Sequence, residues 1–239
     1  MARQKTFRKK DFFGFPFCFG EDKSWKGRWK DFFGNDKPIV LEVGCGKGEM
    51  VRGLAMIRPN HNYVGLDLKS DRMWVGARIV EREKLKNVAF QRLDILRLAE
   101  YFGMGEVDEI WITFPDPFPK KKNTGRRLTN LRYFRNYVSV LKPGGSVHFK
   151  TDNEALFRWT LDHLMEIGVP PEVFTFDLHS DESVLPGPER NILTRYETRF
   201  QQQGKSTKYL RCCPAFAAIS LATGSITGSI NLSDYKEGS

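Results

Sequence analysis

Residues 38 to 48, Pro-Ile-Val-Leu-Glu-Val-Gly-Cys-Gly-Lys-Gly, limit what this chain can fold into more than any other stretch. Ile39 to Val43 is a short apolar run holding one acid, Glu42, and it leads into Gly44, Gly46 and Gly48. Glu49 to Ile57 then carries apolar residues at helical spacing (Met50, Leu54, Ile57) and stops before Pro59. Buried strand, tight loop and helix, in that order, open a nucleotide-type α/β fold. Glycine suits the loop because a ligand lying on bare backbone leaves no room for a side chain.

The loop reads G-x-G-x-G. The dinucleotide pattern G-x-G-x-x-G fails because Glu49 holds the place of its third glycine. That, with the acid at Glu42, disfavours a nicotinamide oxidoreductase. A second apolar strand, Asn62 to Leu68, carries Asp67 near its end, a placement that suits a pair of ribose hydroxyls. No phosphate cradle is evident, so the cofactor has ribose but little negative charge. S-adenosylmethionine, an adenosine with a sulfonium and an ammonium, fits. The plainer alternative is a strand, turn and helix without a ligand.

The alternation continues. Strands are expected at Ile39 to Val43, Tyr63 to Leu66, Val88 to Leu93, Glu109 to Phe114 and Ser146 to Lys150. Helices are expected from Ser70, as cap, to about Lys86, over Leu96 to Phe102, over Leu128 to Leu141, and from the cap Asn153 to Ile167. Lys142-Pro143-Gly144-Gly145 reads as a turn, and Phe174 to Leu178 and Tyr196 to Gln201 read as further strands. Five strand-helix alternations imply an α/β fold with a doubly wound, mostly parallel sheet and helices on both faces. Acids recur at strand ends: Glu42, Asp67, Asp94, Asp116 and Asp152. Ligands of open α/β sheets lie outside those ends, so the repetition says more than any one acid. Asp94 or Asp152 alone could be a helix cap or a turn residue.

The expected organisation is a basic and aromatic extension over 1–35, one main domain over 36–211 and a poorly ordered tail over 212–239. In the extension, Phe12, Phe13, Phe15, Phe17 and Phe19, then Trp25, Trp29, Phe32 and Phe33, read as a segment packed on the core. The net charge of +9 favours a polyanionic partner, nucleic acid first. Cys18, Cys45, Cys212 and Cys213 match neither a zinc site nor a disulfide framework, so no metal is expected. No apolar stretch approaches a membrane span or a secretory signal. The reading is a cytoplasmic protein with no membrane association, a monomer or a homodimer.

Phe114-Pro115-Asp116-Pro117-Phe118-Pro119 follows the fourth strand. Three prolines hold this loop stiff and fix Asp116 in space. Lys120, Lys121, Lys122, Asn123, Thr124, Gly125, Arg126 and Arg127 come next. A rigid acid beside a basic run suggests a reaction centre next to a phosphate-binding surface; the plainer reading of the run is an exposed turn.

These segments resemble the bacterial tRNA (guanine-N7)-methyltransferases. The resemblance runs from about Trp29 through Arg211 and rests on FFGNDKPIVLEVGCGKGE, FPDPFPKKKNTGRRL, LKPGGSVHFKTDN and TRYETRF. It implies a class I methyltransferase fold with S-adenosylmethionine as donor, and tRNA methylated at N7 of guanine in the variable loop. It implies that Glu42, Asp67, Asp94 and Asp116 line the donor site beside Gly44 and Gly46, with Asp116 the catalytic acid. Lys120, Asp152, Thr194, Arg195, Tyr196 and Glu197 would contact the substrate nucleotide. Lys121, Lys122, Asn123, Arg126 and Arg127 would contact RNA. Three positions depart from the pattern: Phe118 stands where tryptophan is usual, and Asn123 and Gly125 where a histidine and a basic residue are usual.

Guanine N7 has an in-plane lone pair and no proton, so no strong base is required, and His61, His148, His163 and His179 form no evident catalytic pairing. Two competitors remain: a methyltransferase acting on an exocyclic RNA amine, and an RNA-binding protein without catalysis. The intact Glu42, Gly44, Gly46, Asp67 and Asp116 weigh against the second.

Overall fold

The structure, a computed structural model, describes residues 2–214. Its strands are β1 (Cys18–Phe19), β2 (Ile39–Val43), β3 (Asn62–Asp67), β4 (Val88–Arg92), β5 (Val107–Thr113), β6 (Leu141–Thr151), β7 (Val173–Thr175) and β8 (Lys208–Cys212). Its α-helices are α1 (Ala2–Phe12), α2 (Trp29–Phe33), α3 (Glu49–Ile57), α4 (Ser70–Glu83), α5 (Leu131–Val140), α6 (Glu154–Glu166) and α7 (Arg195–Gln201). One sheet orders the strands β1-β4-β3-β2-β5-β6-β8-β7. Pairing is parallel from β1 through β6, and β8 is antiparallel to both β6 and β7.

Strand β2 is buried along its whole length. Ile39, Leu41 and Val43 face the cluster that holds Trp29, Phe134 and Phe157; Val40 faces the one that holds Met50, Met73 and Trp111. Burial on both faces explains why the run is apolar rather than alternating. The chain lays β3 and β4 to one side of β2, then returns to place β5 and β6 on the other. Winding direction therefore reverses between β2 and β5, where open sheets take their ligands.

The aromatic extension is core. Trp29 is buried, donates from its indole to the Tyr101 carbonyl (3.1 Å) and stacks on Phe102 at 5.2 Å. Residues 18–19 also add an edge strand to the sheet beside β4. Helix α1 is pinned to α4, where the Trp74 indole donates to the Asp11 carboxylate at 2.7 Å.

Several expectations are corrected. Residues 196–201 are helix, not strand: Thr194 caps α7 by accepting from the Glu197 backbone N–H (3.2 Å). The antiparallel strand lies later, at β8, and it takes in Cys212, which is fully buried. The expected tail beyond residue 214 lies outside the described residues. Ser70 makes no capping bond; Lys69 holds the cap position, and the Asp67 side chain accepts its N–H (2.8 Å). Helix α5 starts at Leu131, capped by Asn130, three residues later than expected. Lys142 to Gly145 is not a separate turn but an irregular stretch inside β6, opposite a register shift at Val107/Glu109. The cap at Asn153 holds, accepting from the Leu156 N–H at 2.8 Å.

Candidate active site

The five acids stand on neighbouring strands. In sheet order Asp94 follows β4, Asp67 ends β3, Glu42 lies in β2, Asp116 follows β5 and Asp152 follows β6. Neighbouring strands lie about 4.8 Å apart, so the acids form a row along the carboxyl edge.

The glycine loop is fastened to β3. The Gly44 and Cys45 N–H groups both donate to the Leu66 carbonyl, at 2.8 and 2.9 Å. The Gly46 N–H donates to Asp67 Oδ2 at 3.0 Å. Gly44, Gly46 and Gly48 have φ of 73°, 54° and 66°, a left-handed conformation that a side chain strains. A Cβ built on Gly46 would meet nothing within 4 Å, so the loop backbone there faces open space.

Glu42 does not reach that space. It is 2% exposed; Oε2 accepts from the Val51 N–H (2.9 Å) and Oε1 from the Thr113 hydroxyl (2.5 Å). It ties β2 to the first turn of α3 and to the end of β5. Burial pushes its carboxyl up to about 7, against the pull of those two hydrogen bonds. Asp94 also has a structural duty, since it caps the following turn by accepting from Leu96 N–H at 3.0 Å.

Asp116 is different. It is exposed, and among the described residues it makes no hydrogen bond or ion pair. The loop that carries it is strained at both ends, because Phe114 and Phe118 have φ of 46° and 42°. Non-glycine residues there cost on the order of 1–3 kcal/mol each and persist only where their surroundings hold them. At the near end the Phe114 N–H donates to the Lys150 carbonyl (2.8 Å). At the far end Arg127 Nε donates to the Pro117 carbonyl (3.0 Å) and Nη2 to the Phe118 carbonyl (3.2 Å).

Arg127, expected among the RNA contacts, is 7% exposed, and its guanidinium lies 4.3 Å from the Trp159 ring centroid. Arg126 closes a 3-10 turn over Lys121–Arg126 and is exposed, 4.5 Å over the Phe118 ring, while Arg127 begins the extended backbone after it. Lys120, Lys121 and Lys122 are exposed and without ion pairs among the described residues; Asn123 is half-buried.

The 194–197 element is divided in the same way. Thr194 and Glu197 are buried, so neither side chain is open to substrate as expected. Glu197 Oε2 lies 3.1 Å from Lys150 Nζ, and Oε1 lies 2.9 Å from His179 Nε2. Burial pushes the Glu197 carboxyl up, but His179 and Lys150 outweigh it and hold it below the usual range. Arg195 is tied to Glu49 through its backbone N–H (2.8 Å) and its Nε (3.3 Å). Tyr196 stands out into solvent, 60% exposed, beside the exposed Arg195. Asp152 is half-buried and its carboxylate is uncommitted.

Sequence reasoning missed Lys150, His179 and Thr113. Nothing in a lysine at a strand end marks it as buried. The Thr-x-x-Glu spacing was a legible helix start, however, and it places Glu197 on the first turn. His148 is a buried residue of β6: it stacks on Trp111 at 4.2 Å, and burial lowers its pKa to about 4. Among the described residues no group of three or more His, Cys, Asp or Glu could hold a metal ion, and no helix is long and apolar enough to cross a membrane.

Comparison with known proteins agrees with this arrangement. The family Methyltransf_4, described as "Putative methyltransferase", matches residues 36–210. The tRNA (guanine-N(7)-)-methyltransferase of Cytophaga hutchinsonii is 42% identical over 191 residues, 79% of this chain and 86% of the relative. The protein of that name from Porphyromonas gingivalis is 45% identical over 189 residues, 77% of this chain and 75% of the relative. Among solved structures, the 16S rRNA methyltransferase KamB superposes with a TM-score of 0.59 at 16% identity, covering 78% of this chain and 92% of its own, a likeness of fold. A glycine loop and acid row at the switch point, joined to sequence identity of this extent, leave one assignment: the chain belongs to the tRNA (guanine-N(7)-)-methyltransferase family.

Proposed function

We propose that this protein transfers a methyl group from S-adenosylmethionine to N7 of a guanine in tRNA, in the variable loop, giving 7-methylguanosine. The observation that carries the reading is Asp116, an uncommitted carboxylate on a strained, proline-stiffened loop beside the switch point.

The residues present fit the donor. Bare backbone at Gly46 leaves room for it beside Gly44, and Asp67 presents a carboxylate at the end of β3 for the ribose hydroxyls. Asp94 stands at the rim, and Glu42 lies below the loop as a counter-charge. When bound, the donor supplies a methyl group on a cationic sulfur. Every remaining task falls to the chain. Guanine N7 carries a lone pair and no proton, so no strong base is needed. Asp116 accepts hydrogen bonds from the base's N1–H and exocyclic amine, which fixes the ring's orientation, and it favours the positive charge the ring acquires. Lys120 and Asp152 hold the nucleotide, with Arg195 and Tyr196 the exposed members of the 194–197 element. Lys121, Lys122, Asn123 and Arg126 face the RNA backbone. Cytoplasmic location, as a monomer or homodimer, completes the proposal.

The test is methyl transfer from labelled S-adenosylmethionine to unmodified tRNA, followed by nucleoside analysis. Label in 7-methylguanosine is expected. Label in a different nucleoside would move the chemistry to another atom, and absence of transfer despite donor binding would overturn the reading.

A further inference from the structure

Arg126 and Arg127 are adjacent, and both belong to the basic run expected to hold RNA. Their surroundings divide them. Arg126 is exposed and packed only on the Phe118 ring. Arg127 is buried, with its fork spent on two consecutive carbonyls of the loop that carries Asp116. We propose that Arg127 is a positioning residue for the reaction, holding Asp116 in place through the Pro117 and Phe118 carbonyls, and is not a phosphate contact.

Three observations converge. First, the two carbonyls that meet one guanidinium flank Phe118, whose left-handed φ of 42° needs an external restraint. Second, Arg127 is itself held. Its plane lies on Trp159, 4.3 Å from the ring centroid, and Trp159 stacks on His163 at 4.7 Å; both belong to α6. His163 Nε2 in turn accepts the Leu131 N–H at the start of α5 (3.0 Å). The restraint on the Asp116 loop is thus anchored in two helices of the core. Third, the backbone around Arg127 is closed on itself, with its N–H on the Thr124 carbonyl (3.0 Å) and its carbonyl taking the Asn130 N–H (2.9 Å). The remaining nitrogen, Nη1, is buried without a hydrogen-bond partner, so the guanidinium offers a phosphate no exposed donor. Lysine cannot substitute, because it lacks the planar fork and the stacking face.

The inference rests on the proposed activity and on the role of Asp116 in it. Its test therefore includes a readout that does not need activity. Arg127→Lys is expected to speed exchange of the Phe114 amide, which holds the one backbone N–H hydrogen bond given for residues 114–120 and is followed by NMR, while strand β2 stays as protected as in the parent protein. In single-turnover assays, kcat is expected to fall about 10- to 100-fold, the effect of displacing a reacting group by around an ångström. tRNA Kd and its salt dependence should stay within about twofold. Arg126→Ala should do the reverse to binding, weakening tRNA affinity and flattening the salt slope. In an Asp116→Ala background, Arg127→Lys should cost less than about threefold more, because it acts through the missing group. Unchanged exchange of the Phe114 amide overturns the proposal. So does a loss of tRNA affinity and salt slope matching that of Arg126→Ala, or a full additive loss in the double variant. If the parent protein makes no 7-methylguanosine, the functional reading fails, and the exchange experiment still decides whether Arg127 holds the loop.

Discussion

The ammonium of Lys150 lies 3.1 Å from Glu197 Oε2, and neither side chain reaches solvent. Lys150 is the second-last residue of β6, beneath the Asp116 loop, Glu197 is on the first turn of α7, and His179 closes the triad from the loop between β7 and α7. Removing one partner of a buried pair strands the other charge and costs about 3–5 kcal/mol. Glu197→Ala should destabilise by that order in urea unfolding. The double variant Lys150→Met/Glu197→Gln should recover most of the loss. The Glu197 carboxyl is depressed in the folded state, so its contribution is present above the ordinary carboxylate value of 4.5 and fades as pH falls. A cost below about 1 kcal/mol for Glu197→Ala would show the pair to be idle.

Glu42 titrates in the opposite sense. Its folded-state pKa is raised by burial from 4.5 to about 7, so the folded protein binds more protons than the unfolded chain between those values. Stability should fall by about 3 kcal/mol as pH rises through that window, at ~1.4 kcal/mol per unit. A cationic donor above the glycine loop favours the carboxylate. Donor affinity should therefore climb with pH up to about 7 and then level, with a proton released on binding near pH 6. Calorimetry in buffers of different ionisation enthalpy reads the proton directly. Glu42→Gln should abolish the release and flatten both profiles; a release that survives the substitution assigns it elsewhere.

The glycine loop rests on α4, and two glycines separate stability from binding. A Cβ on Gly76 would sit 2.4 Å from the Lys47 carbonyl oxygen and 3.0 Å from the Phe90 ring. Gly76→Ala must move the loop backbone, and overpacking of this kind costs about 1–3 kcal/mol, so both melting temperature and donor affinity should drop. Gly46→Ala meets no neighbour, and only its φ of 54° is strained. It should cost about 1 kcal/mol of stability yet weaken donor binding at least tenfold, because the methyl enters the open space beside Asp67. Equal donor affinity in Gly46→Ala and the parent would place the donor elsewhere.

The parallel half of the fold was legible because each strand is a short apolar run ended by a turn signal, and β2 falls at its expected bounds. The antiparallel end was not. Residues 196–201 alternate well enough to pass for a strand, and the helix is decided by the Thr194 cap together with a partner for Glu197 that lies 47 residues earlier, Lys150. The acids of the site could be read from their places at strand ends. Which were free could not: Glu42 and Asp116 look alike in sequence, and only the fold gives one two donors and leaves the other bare. The same holds for Arg126 and Arg127, where a 3-10 turn ends between the two and leaves one guanidinium outward and the next in the core.

The exposed part of the basic loop gives the last prediction. Lys120, Lys121, Lys122 and Arg126 carry no ion pairs among the described residues, and Arg126 is preset over Phe118 at 4.5 Å. Each phosphate neutralised changes the slope of log Kd against log salt by about 0.7 to 0.9. Replacing the three lysines with alanine should reduce the tRNA slope by about 2, and adding Arg126→Ala should take it further. Asp116→Asn should leave that slope alone while lowering kcat by about 10²- to 10³-fold, the scale seen when one preorganised hydrogen-bonding group is lost. The contrast is what matters, because it separates the surface that holds the backbone from the group that handles the base. A triple-lysine variant with an unaltered slope would mean that tRNA is held by another face, and an Asp116→Asn enzyme with full turnover would remove Asp116 from the chemistry.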